Sequence, residues 1–454
     1  MTTIQDTQVQ SENAVIPIDG LILQDQAAAG TGAIYTLVAL VVAVTLAFLD
    51  RQVLNLVVDA IRSDVEITDT QFSLLQGAAF SLVYTVAMLP LAWATDRFNR
   101  KYIIIGSVIA WSAMTVAFGL AEGFVALLIA RAGLALGEAG ISPATTSFVR
   151  DAYPRHRQAT AISIMTLGVY FGGAISLAGG GPALAWLQGL QTEQGLPLGL
   201  SPWRMLFVGA GALGIVSVAL LVFVREPARM QRPGEPISWR DYLRLLTAVR
   251  SQVLAYLCAF IGIFLLLSSV ASWLPALFMR THGWSPQMVG LSFGIVQLAS
   301  GAVGALNAGW IVDRLSAQGD TKAQIRVVRF GVLAAAIGSI LAAVLPNAVL
   351  ALFASGLTFL GAGICLGLGA MGFQAMFPAR FSGRGVATYL LVTGVLGASV
   401  GPTVVPMLAG LLGDGTNVGP ALGICSALAG VWSLAWLTWS FHRLPPISGY
   451  SEHE

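Results

Sequence analysis

Ala92-Trp93-Ala94-Thr95-Asp96-Arg97-Phe98-Asn99-Arg100-Lys101 and, about half a chain later, Gly309-Trp310-Ile311-Val312-Asp313-Arg314 carry one pattern twice. Each closes a long apolar stretch with a Trp and, three residues on, an Asp-Arg pair. A second pair of segments repeats at nearly the same interval. Asp151-Ala152-Tyr153-Pro154-Arg155-His156-Arg157-Gln158-Ala159-Thr160 is echoed by Phe377-Pro378-Ala379-Arg380-Phe381-Ser382-Gly383-Arg384-Gly385-Val386-Ala387-Thr388. Two echoes in register mean a duplicated unit, so the two halves are expected to fold alike.

The composition says what the unit is made of. Of 454 residues, 56% are hydrophobic and only 10% charged, and the mean hydropathy is +0.77. A soluble multidomain protein is excluded by that balance. A helix needs roughly 20 apolar residues to cross a bilayer. Twelve stretches qualify, at about 34–61, 70–94, 102–121, 124–149, 158–186, 203–224, 252–279, 286–311, 327–345, 348–377, 385–412 and 419–441. The fifth is expected to dissolve at Gly179-Gly180-Gly181-Pro182. The fold class is therefore an all-α polytopic membrane protein with 12 transmembrane helices in two six-helix halves.

Lysine and arginine set the orientation. Most of the 24 fall in connections 2–3, 4–5, 6–7, 8–9 and 10–11, whereas the opposite side receives Arg62, Arg204 and Arg280. Both termini are thus expected in the cytoplasm. The division reads as a cytoplasmic tail over 1–33, a six-helix bundle over 34–224, a linker over 225–251, a second bundle over 252–441 and a tail over 442–454. Residues 1–30 hold Asp6, Glu12, Asp19 and Asp25 but no Lys or Arg, which does not fit a signal peptide. In the linker, Trp239, Leu243 and Leu246 share a helical face, giving an interfacial helix or, equally, an unstructured link.

Cys258, Cys365 and Cys425 lie in apolar stretches without metal-ligand spacing, so no metal or other cofactor is expected. There is no phosphate-binding glycine loop, nucleophile–base pair or basic domain, which argues against an ATP-driven pump, an enzyme and nucleic-acid binding.

The repeated segments resemble the major facilitator superfamily. Residues 92–101 match its loop 2–3 motif at Asp96, Arg97, Arg100 and Lys101, with Ala92 and Asn99 where glycines are usual. Arg131, followed by Gly133 and Gly137, resembles its second motif. A narrower set is similar to the spinster-like branch, whose animal members are associated with export of lysophospholipids and sphingosine 1-phosphate. It comprises Leu49-Asp50-Arg51-Gln52-Val53-Leu54-Asn55, Thr68-Asp69-Thr70-Gln71, Leu75-Gln76-Gly77, Arg131 with Glu138, and Trp273-Leu274-Pro275. The resemblance implies a monomeric secondary transporter using alternating access. It further implies a cytoplasmic gate built from Asp96, Arg97, Arg100, Arg150, Asp313 and Arg314.

Asp50, Arg51, Arg131 and Glu138 stand inside spans, where each costs about 2.5–3.5 kcal/mol at a helix centre and marks a functional site by default. Arg131 and Glu138 are two turns apart on one face, and counting depth from the span ends suggests the pairs Asp50–Arg131 and Arg51–Glu138. Asn55, Gln76, Tyr84 and Tyr170 are expected to line the same cavity. Two arginines suit an anionic headgroup, and no histidine lies within a span, so Glu138 and Asp50 are the proton carriers if protons are coupled. The partners expected are thus a small amphipathic organic substrate, protons and the lipid bilayer. Trp273 reads as an interfacial anchor, and Gln297, Asn307 and Tyr389 are the polar candidates of the second half.

Overall fold

A computed structural model describes residues 31–153, 155–193, 195–229, 239–320, 322–374, 376–378, 381–413 and 417–443. The predicted tails up to 30 and from 444, and 230–238 of the linker, lie outside them. Twelve described helices are long and apolar enough to cross a membrane. They are α1 Ile34–Leu56, α2 Asp69–Arg97, α3 Arg100–Leu120, α4 Phe124–Ala152, α5 Leu167–Glu193, α6 Pro202–Val222, α7 Arg250–His282, α8 Pro286–Ala317, α9 Ala323–Val344, α10 Ala348–Gln374, α11 Arg384–Leu412 and α12 Val418–Trp439.

Small residues let these helices approach without a hydrophobic driving force between them. α4 lies against α3 through Gly133, Gly137 and Gly140, and α9 against α10 through Gly331, Gly338 and Gly361. The fifth span does not dissolve. Helix Arg155–Glu193 runs straight through Gly179–Pro182, because Gly180 and Gly181 press against Val53 of α1 and the start of α8. The glycines serve packing there rather than breakage.

Several helices are interrupted. α1 tightens into a 3₁₀ turn at Leu54–Leu56 and α4 breaks between Glu138 and Ile141, in each case beside an intramembrane charge. α2 and α11 each widen into a π-helical turn, at Ala78–Leu82 and Gly394–Ala398, and these turns face one another across the two halves.

One end of the molecule carries the arginine-rich connections 2–3, 4–5, 8–9 and 10–11, and the other the arginine-poor ones. At the arginine-poor end a single buried core joins residues of both halves, among them Val57, Ile61 and Phe72 with Trp273, Leu277 and Val405. Toward the arginine-rich end each half has a core of its own, around Trp111 and Phe148 in the first and Tyr256, Phe260 and Tyr389 in the second. The halves are thus joined at one end and separately packed at the other.

The linker contains a helix, Trp239–Ala248, and the residue that anchors it, Tyr242, lies outside the face read from the sequence. Tyr242 is buried, its hydroxyl reaching Thr388 (2.7 Å) and donating to the Arg384 carbonyl (3.1 Å), with Leu245 and Leu246 packed beside it. Leu243 is exposed. The helix docks on the second half because Tyr242 supplies both an apolar ring and a hydrogen bond.

Candidate functional site

A cavity of about 530 Å³ lies between the halves. α1 and α2 bring Arg51, Gln52, Asn55, Gln76 and Phe80 to it, and α4 brings Arg131. The second half faces them with Ser268, Ala271, Ser272, Gln297, Leu366 and Pro402, which carry no charge.

Arg51 lines the cavity. Its Nη2 and Nε donate to Glu138 Oε2 at 2.6 and 2.9 Å, the pair expected from the sequence. Its guanidinium carbon also sits 4.2 Å from the Phe48 ring centre, 4.5 Å from Phe80 and 4.8 Å from Tyr84. Aromatic faces attract a cation and hold it in place without neutralising it. Behind the pair is a smaller chamber of about 150 Å³, lined by Glu138, Tyr84, Ser142, Thr145 and Thr146. Arg51 borders both spaces, Arg131 only the central one and Glu138 only the smaller.

The second expected pair does not form. Asp50 is buried and accepts a hydrogen bond from Thr115 Oγ1 of α3 at 2.6 Å, while Arg131 donates from Nε to the Leu75 carbonyl at 3.3 Å and stacks 5.0 Å from Phe80. Asp50 sits about 100° round α1 from Arg51, so turning Arg51 to the cavity turns Asp50 toward α3. Thr115 was not singled out in the sequence, since a lone hydroxyl in an apolar span carries no signal by itself. Among the buried polar atoms of the described residues that have no hydrogen-bond partner, three belong to this site: Arg131 Nη1, Glu138 Oε1 and Gln76 Oε1. Each is a group with desolvation already suffered and bonding capacity left over.

Asn55 sits above the arginines. Its amide donates to Gln52 Oε1 (2.7 Å) and to the Ala271 carbonyl of the opposite half (2.9 Å), and accepts from Gln76 Nε2 (2.6 Å). Tyr84 borders the smaller chamber, stacked on Phe80 at 5.7 Å. The side chain of Tyr170 lies outside the described residues. Of the second-half candidates only Gln297 reaches the cavity; Asn307 is exposed on another face and Tyr389 is packed into the aromatic core. Trp273 is no interfacial anchor, because it is fully buried and its Nε1 donates to the Pro402 carbonyl at 2.7 Å.

At the arginine-poor end a cluster of charges joins the halves. Arg280 of α7 binds Asp59 (2.6 Å) and Asp69 (2.8 and 2.9 Å), and Arg62 pairs with Asp69 at 2.9 Å. Asp69 is placed by a capping box in which the Thr68 hydroxyl accepts from the Gln71 amide and Gln71 returns the bond. The sequence held these residues in plain view, and only their lateral neighbours were missing.

The expected gate at the other end is not assembled. Asp96 and Asp313 are exposed and make no ion pair among the described residues. Arg100 turns instead into the first half, where it is buried and bound to Asp151, to Glu226 (2.7 Å) and to the Pro227 carbonyl (3.1 Å). Arg97 lies over Trp93 at 4.3 Å and Arg314 over Trp310 at 5.4 Å, the repeated motif in matching poses. Arg150 is exposed. With the halves joined at the opposite end, these residues have nothing to clamp.

The model of the Major Facilitator Superfamily matches residues 40–402. The chain belongs to that superfamily. Among the superfamily's proteins it is 28% identical over 380 residues to an MFS-type efflux pump of Mycolicibacterium smegmatis, covering 82% of this chain and 83% of that one. Human protein spinster homolog 1 is 28% identical over 325 residues, 66% of this chain and 58% of its own. The crystal structure of a bacterial homologue of the human lysosomal transporter Spinster, inward-facing and unoccupied, superposes with a TM-score of 0.75 at 25% identity, covering 91% and 96% of the two chains. The spinster-like resemblance read in the sequence thus recurs in relatives and in fold, and the protein is a multi-pass membrane member of a transporter family.

Proposed function

We propose that the protein is a secondary active transporter that works by alternating access and carries an amphipathic, lysolipid-like organic anion in exchange for or together with protons. The observation that supports this reading best is the division of the central cavity. Two arginines stand on one wall and an uncharged wall faces them, and Arg131 Nη1 is buried with a hydrogen bond still to give. A guanidinium binds phosphate or carboxylate in a fork. The cargo's anionic head takes Arg131 and draws Arg51 from Glu138, while its apolar part lies along Ala271, Leu366 and Pro402. Glu138, buried and deprived of its partner, takes a proton, since an unpaired buried carboxylate is costly. Asp50, held by Thr115, is the second carrier. On this reading the arginine-rich end is cytoplasmic, in a bacterial inner membrane, and the structure is closed toward the outside.

A second reading, export of hydrophobic drugs, draws on the largely apolar lining and on the efflux pump among the relatives. Purified protein in liposomes loaded with a pH dye separates them, with lysophospholipids, sphingoid phosphates, small carboxylates and cationic drugs compared as cargo. Proton movement with anionic amphiphiles that disappears in Glu138→Gln is the expected result. Movement with cationic drugs alone establishes the second reading, and cargo uptake with no proton movement makes the protein a facilitator.

A further inference from the structure

A groove of about 370 Å³ runs along the second half away from the central cavity, walled by α8 and α9 and floored by α10. Both walls pack extensively on α10 yet touch one another little, so the space between them opens sideways to the bilayer. Gly304 deepens it, lying so close to the Leu360 carbonyl of α10 that no side chain fits there. Its lining is ordered by depth. Arg326, three residues into α9, is exposed at the mouth; Val327, Phe330, Ile311 and Ile364 follow; Asn307 stands ten residues in from the end of α8. Helix rise puts Asn307 about 10 Å deeper than Arg326.

A carboxamide exposed at that depth is costly in hydrocarbon. Asn307 Nδ2 satisfies one of its bonds on the Val303 carbonyl at 2.8 Å, leaving a second N–H to donate. Arg326 pairs with Asp320 at 3.1 Å through Nη1 only, and is more than half exposed, so the rest of its guanidinium faces the interface. Basic groups at such a position attract anionic lipid heads. An apolar slot with a cation at its mouth has the order of groups found in one lipid, a charged head above an acyl chain.

We propose that this groove binds an anionic glycerophospholipid of the surrounding leaflet, with the phosphate at Arg326 and an acyl chain against Phe330 and Ile364. The site is separate from the cargo cavity and does not depend on what is transported. Native mass spectrometry of the full-length protein in detergent, titrated with phosphatidylglycerol and with phosphatidylcholine, tests it. The wild type is expected to retain phosphatidylglycerol preferentially; Arg326→Ala weakens that lipid about fivefold and removes the preference, and Arg326→Lys keeps it. Phe330→Trp, which fills the slot and leaves the charge, weakens both lipids and provides the reading if Arg326→Ala does not fold. No headgroup preference in the wild type, a preference unchanged in Arg326→Ala, or undiminished retention of both lipids in Phe330→Trp overturns the proposal.

Discussion

Arg51 and Asp50 are neighbours in sequence whose side chains point about 100° apart around α1. Arg51 borders two chambers and binds Glu138, whereas Asp50 is sealed against Thr115. Their substitutions therefore separate stability from transport. Arg51→Ala leaves the Glu138 carboxylate buried without a countercharge, and is expected to cost about 3–5 kcal/mol. Asp50→Asn keeps an acceptor for Thr115 and is expected to cost about 1 kcal/mol while reducing proton-coupled transport. Thermal unfolding beside liposome flux checks both, and a severe loss of stability in Asp50→Asn would make that residue a structural one. The charges announce themselves in the sequence because an apolar span has no use for them. Thr115 does not, since its part depends wholly on what α1 turns toward it.

At the scale of elements, the crossing of α2 and α11 and the charge cluster beside it hold the arginine-poor end shut. Gly77 meets the Ser399 carbonyl so closely that an added Cβ requires a backbone to move. Gly77→Val is expected to cost about 1–3 kcal/mol through overpacking and to slow transport, measured as melting temperature and flux. Arg280→Ala removes bonds from Asp59 and Asp69 together. Loss of about 2 kcal/mol from the closed end, as for charged hydrogen bonds elsewhere, raises the reactivity of a cysteine introduced at cavity residue Ser272 toward an impermeant thiol reagent. The reagent is added from the arginine-poor face and the rate compared with and without Arg280→Ala; an unchanged rate rules out a lock. Gly401 lies against α7, where its carbonyl accepts from Ser269 at 2.7 Å. That Arg280 would meet two aspartates from the other half was not readable, because their sequence separation exceeds two hundred residues.

The whole molecule is two halves sharing one core at the arginine-poor end and keeping two at the other. Connections at the shared end add their own ties. Asp64, in the short helix Val58–Val65, accepts from Arg204 (2.8 Å), Trp203 (2.8 Å) and Ser201 (3.0 Å). Burial pushes its carboxyl up, but these three donors outweigh it and hold the group below its ordinary value. A carboxylate favoured in the folded state stabilises above its unfolded pKa of about 3.9 and loses that contribution as pH falls through the folded value. The melting temperature of the wild type is thus expected to exceed that of Asp64→Asn at pH 7 by a modest margin, and the gap to close below about pH 4. A gap that persists unchanged in acid would mean the carboxylate's charge plays no part.

The sequence by itself determined the twelve spans, the duplicated halves and the charged residues at the centre, because each follows from composition and periodicity along a single helix. It also suggested the Arg51–Glu138 pair, which the structure contains because depth and face agree there. Only the tertiary structure decided that Asp50 turns to Thr115, that Arg100 closes within its own half, that Trp273 is core and that Arg280 bridges the halves. Periodicity places a side chain at a height and on a face of its helix; what stands opposite depends on how the helices are rotated and which end of the molecule is closed.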